Sequence, residues 1–438
     1  MQIRIKNRNG RKVSRDTSLL PKSEEAYKIR TMSRSIREGY FGGLSQTLND
    51  QFMTPYAISL HVSPTQMGIL RSLLGILPPI GQIIGSNLMK KKTRRSLVLF
   101  GVLLQLLIWP LIIILGFLAL NNWILSVVPI FFTMFYITQS FFGAIAGPSW
   151  FSLMGDIVPE DHRGRYFSKR NLLITIISII VSIIASILLE QLKILENVYM
   201  GFFIIFSIAF LSRIVSALYL ARHYYPSFNI EKHSYMSLRK FFKNIFKTNF
   251  GIFTLYMTFI TFSVNIGVPF MGYYMLEDLR FTYIEYVAVN LSTPLISIAF
   301  YPLIGYITDK YGNALLMRIC GFMLPTLPIL WIFLNNPLQL IFIPQFISAF
   351  AWTGVNLGAW NFIYDNIPKQ QRGFYVAYFN FSLGMGVLFG GMLGSFLLQI
   401  VPVIFFSVYQ TLFLISGILR LFFDFIFLFR IKEVRVKN

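Results

Sequence analysis

The chain reads Asp156-Ile-Val-Pro159-Glu-Asp-His-Arg163-Gly164, and 209 residues later it reads Asp365-Asn-Ile-Pro368-Lys-Gln-Gln-Arg372-Gly373. Both stretches follow the pattern DxxPxxxRG, and each lies between two long apolar segments. Proline and glycine within a charged stretch between apolar segments indicate a loop. The repeat therefore indicates a duplicated half, with the same loop at the same place in each copy.

The composition places the chain in a lipid bilayer. Hydrophobic residues make up 55% of the 438 residues, aromatic residues 17% and charged residues only 13%, and the mean hydropathy is +0.61. These proportions leave too little polar surface to cover a soluble globule of this length. Since a helix needs roughly 20 apolar residues to cross about 30 Å of hydrocarbon, we predict an all-α membrane protein with twelve transmembrane helices. The predicted spans cover residues 40–60, 65–88, 97–120, 125–153, 167–190, 199–221, 249–275, 283–307, 314–334, 338–363, 375–400 and 404–429.

The basic residues are distributed by topology. The formal net charge is +21, but the Lys and Arg residues concentrate in alternate connections. They lie at residues 4–37, 90–95, 163–170, 222–247, 310–318, 369–372 and 430–437. The other connections hold only Lys193 and Arg280. The positive-inside rule then predicts a multi-pass protein of the cell membrane with both termini in the cytoplasm. We accordingly predict contact with anionic membrane lipids and no nucleic-acid partner.

The two halves align beyond the repeated loop. Asn171 corresponds to Asn380 at the same offset of 209, and Arg213 corresponds to Arg420 at 207. Two parallel six-helix pseudo-repeats would enclose a central cavity between them. The predicted units are a basic cytoplasmic tail at 1–37, a six-helix half at 38–222, a cytoplasmic linker at 223–247, a second six-helix half at 248–431 and a tail at 432–438.

A further motif lies between spans eight and nine. Gly305-Tyr-Ile-Thr-Asp309-Lys310-Tyr-Gly312 matches the pattern GxxxDkxG. With the two DxxPxxxRG loops after spans four and ten, it resembles the loops of the major facilitator superfamily (MFS), over about residues 38–431. The resemblance implies the MFS fold and a secondary transporter. The first half departs from the pattern, because Met89 stands where the family usually has Asp and the second glycine is missing.

The family loops suggest a cytoplasmic charge latch. An Asp at a helix end is stabilised by a nearby Arg or helix N-terminus only while that end is closed, which would favour the outward-open state. The candidate pairs are Asp309 with Arg372 and Asp156 with Arg163, and partners that cross between loops remain an alternative. So does a plain topological role, since exposed ion pairs contribute little. The predicted cytoplasmic gate comprises Gly85, Asp156, Arg163, Gly305, Asp309, Lys310, Gly312, Asp365 and Arg372.

Polar residues near the bilayer midplane are expensive and tend to be functional. Asp50 lies about ten residues, or roughly 15 Å, beyond the start of the first span, with Gln46 and Asn49 on the same face. As an isolated carboxylate Asp50 would be a proton-coupling site, whereas an ion pair with Arg71 would make it a scaffold or solute anchor. The other predicted cavity residues are Gln139, Asn171, Asn265, Asn290, Asn356, Trp360, Asn361 and Asn380. Amides with aromatics suit hydroxylated or zwitterionic ligands, and interhelical hydrogen bonding is the alternative.

Three further intramembrane charges are predicted to be structural. Arg420 and Asp424 are spaced i,i+4 and are expected to pair with each other, and Arg213 has the corresponding place in the first half. The sequence also contains no metal-ligand cluster, nucleophile with a base, or phosphate-binding glycine loop. We therefore predict no enzymatic activity, no cofactor and no metal.

The predicted function is transport of a small organic solute by rocker-switch alternating access, by a monomer. Coupling to protons or another ion is left open. One alternative is an exporter of drugs or lipid-like solutes, although 166–190 lacks the glycine and proline that drug/proton antiporters of the family usually carry there. The alternative from another class is a non-transporting membrane receptor or scaffold.

Overall fold

The computed structural model describes residues 22–89, 91–120, 127–159, 163–226, 238–367 and 372–433 of the chain. Within these ranges the chain is almost entirely helical and contains no strand. The first half consists of α1 Lys22–Ser59, α2 Pro64–Leu88, α3 Arg94–Leu120, α4 Val128–Ile157, α5 Arg163–Ile194 and α6 Val198–Ala221.

The second half also has six long helical units, several of them interrupted. A short helix at Leu238–Lys243 precedes them. The unit α7 comprises Asn249–Gly267, a 3-10 turn at Val268–Phe270, Met271–Tyr273 and a π turn at Tyr274–Asp278. Next come α8 Tyr283–Tyr311, α9 with segments Asn313–Met323 and Thr326–Phe333, and α10 with segments Pro337–Leu340, a π turn at Ile341–Gln345 and Phe346–Asn366. The last two are α11 Arg372–Ile400 and α12 Val408–Phe427, which ends in a 3-10 turn at Leu428–Arg430.

The helices have the lengths that a bilayer requires. Among the described residues, eleven helices, α2 to α12, are long and apolar enough to cross a membrane. The remaining long helix, α1, is the exception because Glu38, Gln46, Asn49 and Asp50 interrupt its apolar stretch. The predicted all-α membrane fold is confirmed.

Prolines explain where the helical units are interrupted. A proline lacks the N–H that would bond to the carbonyl four residues earlier, and its ring crowds that carbonyl. The break in α9 falls at Pro325, between Met323 and Thr326. Because Pro328 follows four residues after Leu324, the carbonyl of Leu324 has no helical partner and is available to another helix.

The first helix begins well before the predicted first span. Residues 22–37, which we assigned to a tail, form the first turns of α1. Met32 and Ile36 pack against Met154, Val158 and Tyr166 at the end of the bundle. The segment is therefore a packed helical extension, because one of its faces is apolar. Residues 1–21 lie outside the described ranges.

The halves meet most extensively along two pairs of helices, α2 with α11 and α5 with α8, and α7 also contacts α1 and α2. Glycines permit the close approach of α2 and α11. A Cβ at Gly384 would lie 2.6 Å from the carbonyl oxygen of Gly75, and one at Gly391 would lie 2.2 Å from Oγ of Ser72. Small residues at such contacts allow helix backbones to pack closely in membranes.

The two ends of the bundle differ in charge. We call the end that carries Arg94 and Arg222 the basic end, and the end that carries Val62, Glu190 and Tyr283 the opposite end. Between residues whose side chains are described, the hydrogen bonds that join the halves include two at the opposite end, and Tyr286 of the second half lies within hydrogen-bonding reach of Thr54 in the first. Tyr273 donates to the carbonyl of Val62 at 2.5 Å, and the backbone N–H of Tyr283 donates to Glu190 at 2.9 Å.

Candidate functional site

Asp50 is held by two neighbouring amides of its own helix. Its Oδ2 accepts a hydrogen bond from Gln46 Nε2 at 2.6 Å, and its Oδ1 accepts one from Asn49 Nδ2 at 3.1 Å. Asn49 Nδ2 also donates to the hydroxyl of Tyr136 in α4 at 2.6 Å. Asn49 is buried, whereas Gln46 and Asp50 are exposed. A buried amide therefore positions a carboxylate that is accessible to a ligand.

Arg71 does not bond directly to Asp50. Its Nη2 donates to Oγ1 of Thr54 at 3.2 Å, one turn further along α1. The described ion pairs, which extend to 4.0 Å, do not include Arg71 with Asp50. Tyr286 of α8 lies within reach of both Thr54 and Arg71. The guanidinium thus lies where the two halves adjoin, and the ion pair that we considered is absent from this conformation.

The structure distributes the other predicted cavity residues over several environments. Gln139 is buried in α4, one turn beyond Tyr136, and its Nε2 has no partner. Asn265 and Asn290 donate to backbone carbonyls of their own helices, at 2.8 Å and 2.9 Å. Asn171, Asn356 and Trp360 are exposed, and Asn361 and Asn380 are partly buried. We call Asp50, Gln46, Asn49 and Arg71 the Asp50 cluster. In the described part of the chain, no hydrogen bond joins Asn171, Asn356, Asn361 or Asn380 to this cluster.

A buried charge network in the first half was not predicted. Glu38 of α1 pairs with Arg170 of α5 at 3.0 Å and accepts a hydrogen bond from Ser216 of α6 at 3.0 Å. Ser216 accepts from Arg213 at 3.3 Å, and Arg213 Nε donates to Gln105 of α3 at 2.9 Å. Four helices of one half are joined by these contacts. The available signal was the spacing of Glu38, which is eight and twelve residues before Gln46 and Asp50 on the same helix.

Arg420 and Asp424 are both buried in α12, but they do not pair as predicted. Arg420 Nη1 donates to the carbonyl of Leu324 at 3.0 Å, and Asp424 accepts from the hydroxyl of Tyr256 at 3.1 Å. The first contact forms because Pro328 leaves that carbonyl without a helical donor. The two charges therefore tie α12 to α9 and to α7 separately.

At the basic end, the described partner of Asp156 is Arg94. Arg94 Nη1 lies 2.5 Å from Asp156 Oδ2, and Nη2 donates to the carbonyl of Pro226 at 2.9 Å. This pair lies within the first half, between the start of α3 and the end of α4. The expected partner, Arg163, has a side chain outside the described residues.

The remaining gate residues are only partly described. The side chains of Asp309, Asp365 and Arg372 lie outside the described residues, so the predicted pairing of Asp309 with Arg372 stays a prediction. Lys310 lies beside Tyr306, with Nζ 3.2 Å from the hydroxyl. Gly312 has a φ of 91°, a conformation that glycine adopts without strain.

The predicted gate also contains two glycines inside helices. A Cβ at Gly85 would lie 2.3 Å from the carbonyl oxygen of Ile145, so glycine is needed where α2 meets α4. A Cβ at Gly305 would meet nothing within 4 Å. Glycine is therefore sterically required at the first position and not at the second in this conformation.

His223 lies just beyond α6 at the basic end. It is buried, and neither ring nitrogen has a hydrogen-bond partner. Burial lowers the pKa of His223 to about 4, and the nearby cations Arg34 and Arg170 act in the same direction. The imidazole is therefore neutral at physiological pH.

Comparison with known protein families supplies the assignment. A family model described as the Major Facilitator Superfamily matches residues 40–383 and 268–438. The chain belongs to the major facilitator superfamily. Membership supports membrane transport as the function and a non-enzymatic role. A search of curated proteins returns no match.

Solved MFS-like transporters share the fold at low sequence identity. A point mutant of the nucleoside transporter NupG is 14% identical, with a TM-score of 0.67, over 91% of this chain and 100% of that chain. A bacterial homologue of the iron transporter ferroportin, in an inward-facing state, is 14% identical, with a TM-score of 0.70, over 91% and 98%. The POT family transporter PepTSo is 12% identical, with a TM-score of 0.67, over 91% and 97%. At identities this low, the structural similarity establishes the fold of this MFS chain and does not identify its solute.

Proposed function

We propose that this MFS protein carries a small polar organic solute across the cell membrane by rocker-switch alternating access. The observation that carries the proposal is the asymmetry of the contacts between its halves. Hydrogen bonds join the halves at the opposite end, whereas the described ion pairs, which include Arg94 with Asp156 at the basic end, all stay within the first half. A bundle whose described contacts between the halves lie at one end corresponds to one of the two states of an alternating-access cycle.

The orientation follows from the positive-inside rule. With the basic end in the cytoplasm, the described conformation is inward-facing and both termini are cytoplasmic. The predicted pair Asp309 with Arg372 would then form in the outward-facing state, when the basic end closes. We take the protein to act as a monomer surrounded by membrane lipids.

The solute is proposed to bind at the Asp50 cluster. Asp50 offers an accessible carboxylate, Gln46 an amide and Arg71 a guanidinium with one described bond, to Thr54. Groups of both charges within one small site suit a zwitterionic or hydroxylated solute. Tyr286 brings the second half to the same place, so a ligand there would contact both halves and respond to their movement.

Counterflow in proteoliposomes tests the proposal. Purified protein is reconstituted with a high internal concentration of one solute, and uptake of the same labelled solute is measured. The panel includes amino acids, sugars, nucleosides, small peptides and iron. The last three classes are chosen because structural neighbours include a nucleoside transporter, a POT family transporter in complex with a conjugated peptide and a homologue of an iron transporter. We expect counterflow for at least one class and loss of it in Asp50→Ala, with Glu196→Gln as a control that removes an exposed carboxylate elsewhere.

The same panel separates the alternatives. Counterflow confined to amphipathic drugs or lipid-like solutes would favour the exporter. Folded protein that shows no counterflow with any class, in liposomes where a reference MFS transporter is active, would refute transport and favour a receptor or scaffold.

A further inference from the structure

The first half contains a narrow polar cleft that none of the contacts above explains. It lies between α1, α3 and α6 and has room for about one water-sized particle. Its lining consists of Gly42, Ser45, Gln46, Asn49, Gln105, Trp109 and Arg213. The side chains of Ser45, Gln46, Asn49, Gln105 and Arg213 are polar. Gly42 has no side chain, and the indole of Trp109 carries an N–H donor.

Two buried atoms of the cleft lack partners. Trp109 is 2% exposed, and its Nε1–H has no acceptor. Asn49 is 7% exposed. Its Nδ2 bonds to Tyr136 and Asp50, whereas its Oδ1 has no donor. Buried polar groups are nearly always satisfied by protein or ordered water. An occupant that accepts from the indole and donates to the amide oxygen would satisfy both atoms.

These two bonds identify the chemistry of the occupant. A simple anion accepts hydrogen bonds but cannot donate to Asn49, and a metal cation cannot accept from Trp109. A hydroxyl-bearing molecule of water size satisfies both atoms. The occupant that fits the cleft is water.

The cleft lies between two carboxylates of α1. At one end Gln46 and Asn49, which line it, hold Asp50. At the other end Gly42 leaves the way to Glu38 open, because a Cβ there would lie 2.9 Å from Glu38 Oε1. Residues 38, 42, 45, 46, 49 and 50 recur at helical spacing and so follow one side of α1.

We propose that water in this cleft, with the hydroxyl of Ser45, relays protons between Asp50 and Glu38 inside the first half. The proton of the Asp50 carboxyl group passes to the water as a proton of that water passes onward, and Glu38 Oε1 accepts it. One acid is thereby deprotonated and the other protonated, with no change in electrons. The relay rests on the proposed transport function and gives it proton coupling.

Charged and titratable groups from the neighbouring helices face both ends of the relay. Asp50 lies near Arg71 of α2 and Tyr136 of α4. Glu38 faces Arg170 of α5 and, through Ser216, Arg213 of α6. Glu38 therefore lies between the cleft and these two arginines.

The water is tested without any solute. Ultraviolet resonance Raman spectra of the wild type and Trp109→Phe are subtracted, which isolates one indole among the six tryptophans. We expect the band position of a hydrogen-bonded indole N–H. A free N–H signature would overturn the proposal, because no other acceptor for Trp109 is present in the described structure.

The relay is tested by a substitution that narrows the space between the cleft and Glu38. Gly42→Ala places a methyl group against Glu38, whereas Gly147→Ala in α4 adds one where nothing lies within 4 Å. With a solute found by counterflow, we expect Gly42→Ala to lower pH-gradient-driven accumulation about tenfold or more while counterflow is retained. Gly147→Ala is expected to change neither.

The outcomes separate this inference from the proposed function. Undiminished pH-driven accumulation in Gly42→Ala would overturn the relay, as would wild-type counterflow with no response to a pH gradient. Absence of all counterflow in the wild type would refute the proposed function and the relay with it, while the Raman result still decides the cleft water. If Gly42→Ala does not fold, Trp109→Phe replaces it, since it removes the N–H donor while keeping an aromatic ring and is expected to reduce pH-driven accumulation alone.

Discussion

Removing the charge of Glu190 is expected to open the end of the bundle that is closed in this structure. Glu190, near the end of α5, accepts a hydrogen bond from the backbone N–H of Tyr283, the first residue of α8. Lys193 places its ammonium 5.4 Å from the centre of the Tyr283 ring. A carboxylate of one half therefore caps the helix N-terminus of the other, where negative charge is stabilised by the helix dipole.

The magnitude follows from the geometry of this contact. A hydrogen bond to a charged group contributes about 1.5–3 kcal/mol when buried, and Glu190 is only half-buried. We therefore assign about 2 kcal/mol to the contact and about half of that to its charge. Glu190→Gln keeps an acceptor and should shift the ratio of open to closed conformers about fivefold, whereas Glu190→Ala should shift it about thirtyfold.

Cysteine accessibility measures the shift. The native Cys320 is fully buried, so Cys320→Ser provides a background, and Val62→Cys adds a reporter at a position that is 2% exposed at the closed end. While the closed conformer dominates, the labelling rate of this reporter is proportional to the open fraction. The rate should therefore rise about fivefold in Glu190→Gln and about thirtyfold in Glu190→Ala.

Glu196→Gln is the matched control, because it removes an exposed carboxylate from the same end without a described contact to the other half. Labelling that stays at the wild-type rate in Glu190→Ala would refute the assignment of Glu190 as a lock. An equal rise in Glu196→Gln would show that the general charge of this end, and not the contact, controls the opening.

Three further predictions concern other parts of the chain. Asp50→Asn should abolish pH-driven accumulation but retain counterflow if Asp50 carries the proton, and unchanged pH dependence in liposome uptake would remove it from that role. Asp156→Asn should lower the free energy of unfolding by about 1 kcal/mol. Because Arg94, the described partner of Asp156, lies in the same half, the labelling of Val62→Cys should stay unchanged, and a change in labelling would contradict this prediction. His223 has a folded-state pKa of about 4, below its unfolded value, so its neutral form favours the folded state at neutral pH. That stability is lost as pH falls from about 6.5 to about 4, by up to ~3 kcal/mol, and thermal unfolding of His223→Gln should lose less over that window; parallel curves would contradict the argument.

The fold could be predicted from the sequence because bilayer thickness sets the length of apolar helices. The start of α1 could not be predicted, because the charged side chain of Glu38 ends the apolar segment in the hydropathy pattern. In the structure that charge is paired with Arg170 of α5 and lies inside the bundle. Hydropathy alone places a charged residue outside the membrane. It carries no information about a partner such as Arg170, which lies 132 residues from Glu38.

For the candidate site, the sequence predicted which residues of α1 lie together better than it predicted contacts between helices. Asp50, Gln46 and Asn49 were identified because helical spacing places them together, and they do bond to one another. The expected pair of Arg420 with Asp424 had equally good spacing but did not form. There the deciding feature was a carbonyl on another helix, left free by Pro328, and spacing within one helix carries no information about such competitors.

The duplicated halves differ in where their buried charges lie. In the first half, Glu38, Arg170 and Arg213 form a network that reaches α1, α3, α5 and α6. In the second half, the buried charges Arg420 and Asp424 tie α12 to α9 and α7, and the core near the basic end is largely aromatic, with ring contacts from Phe241 to Phe379. Because the relay proposed here lies in the first half, its proton transfer should act on the packing of that half. The contacts between the halves that must break in each cycle include those of Glu190 and Tyr273 at the interface.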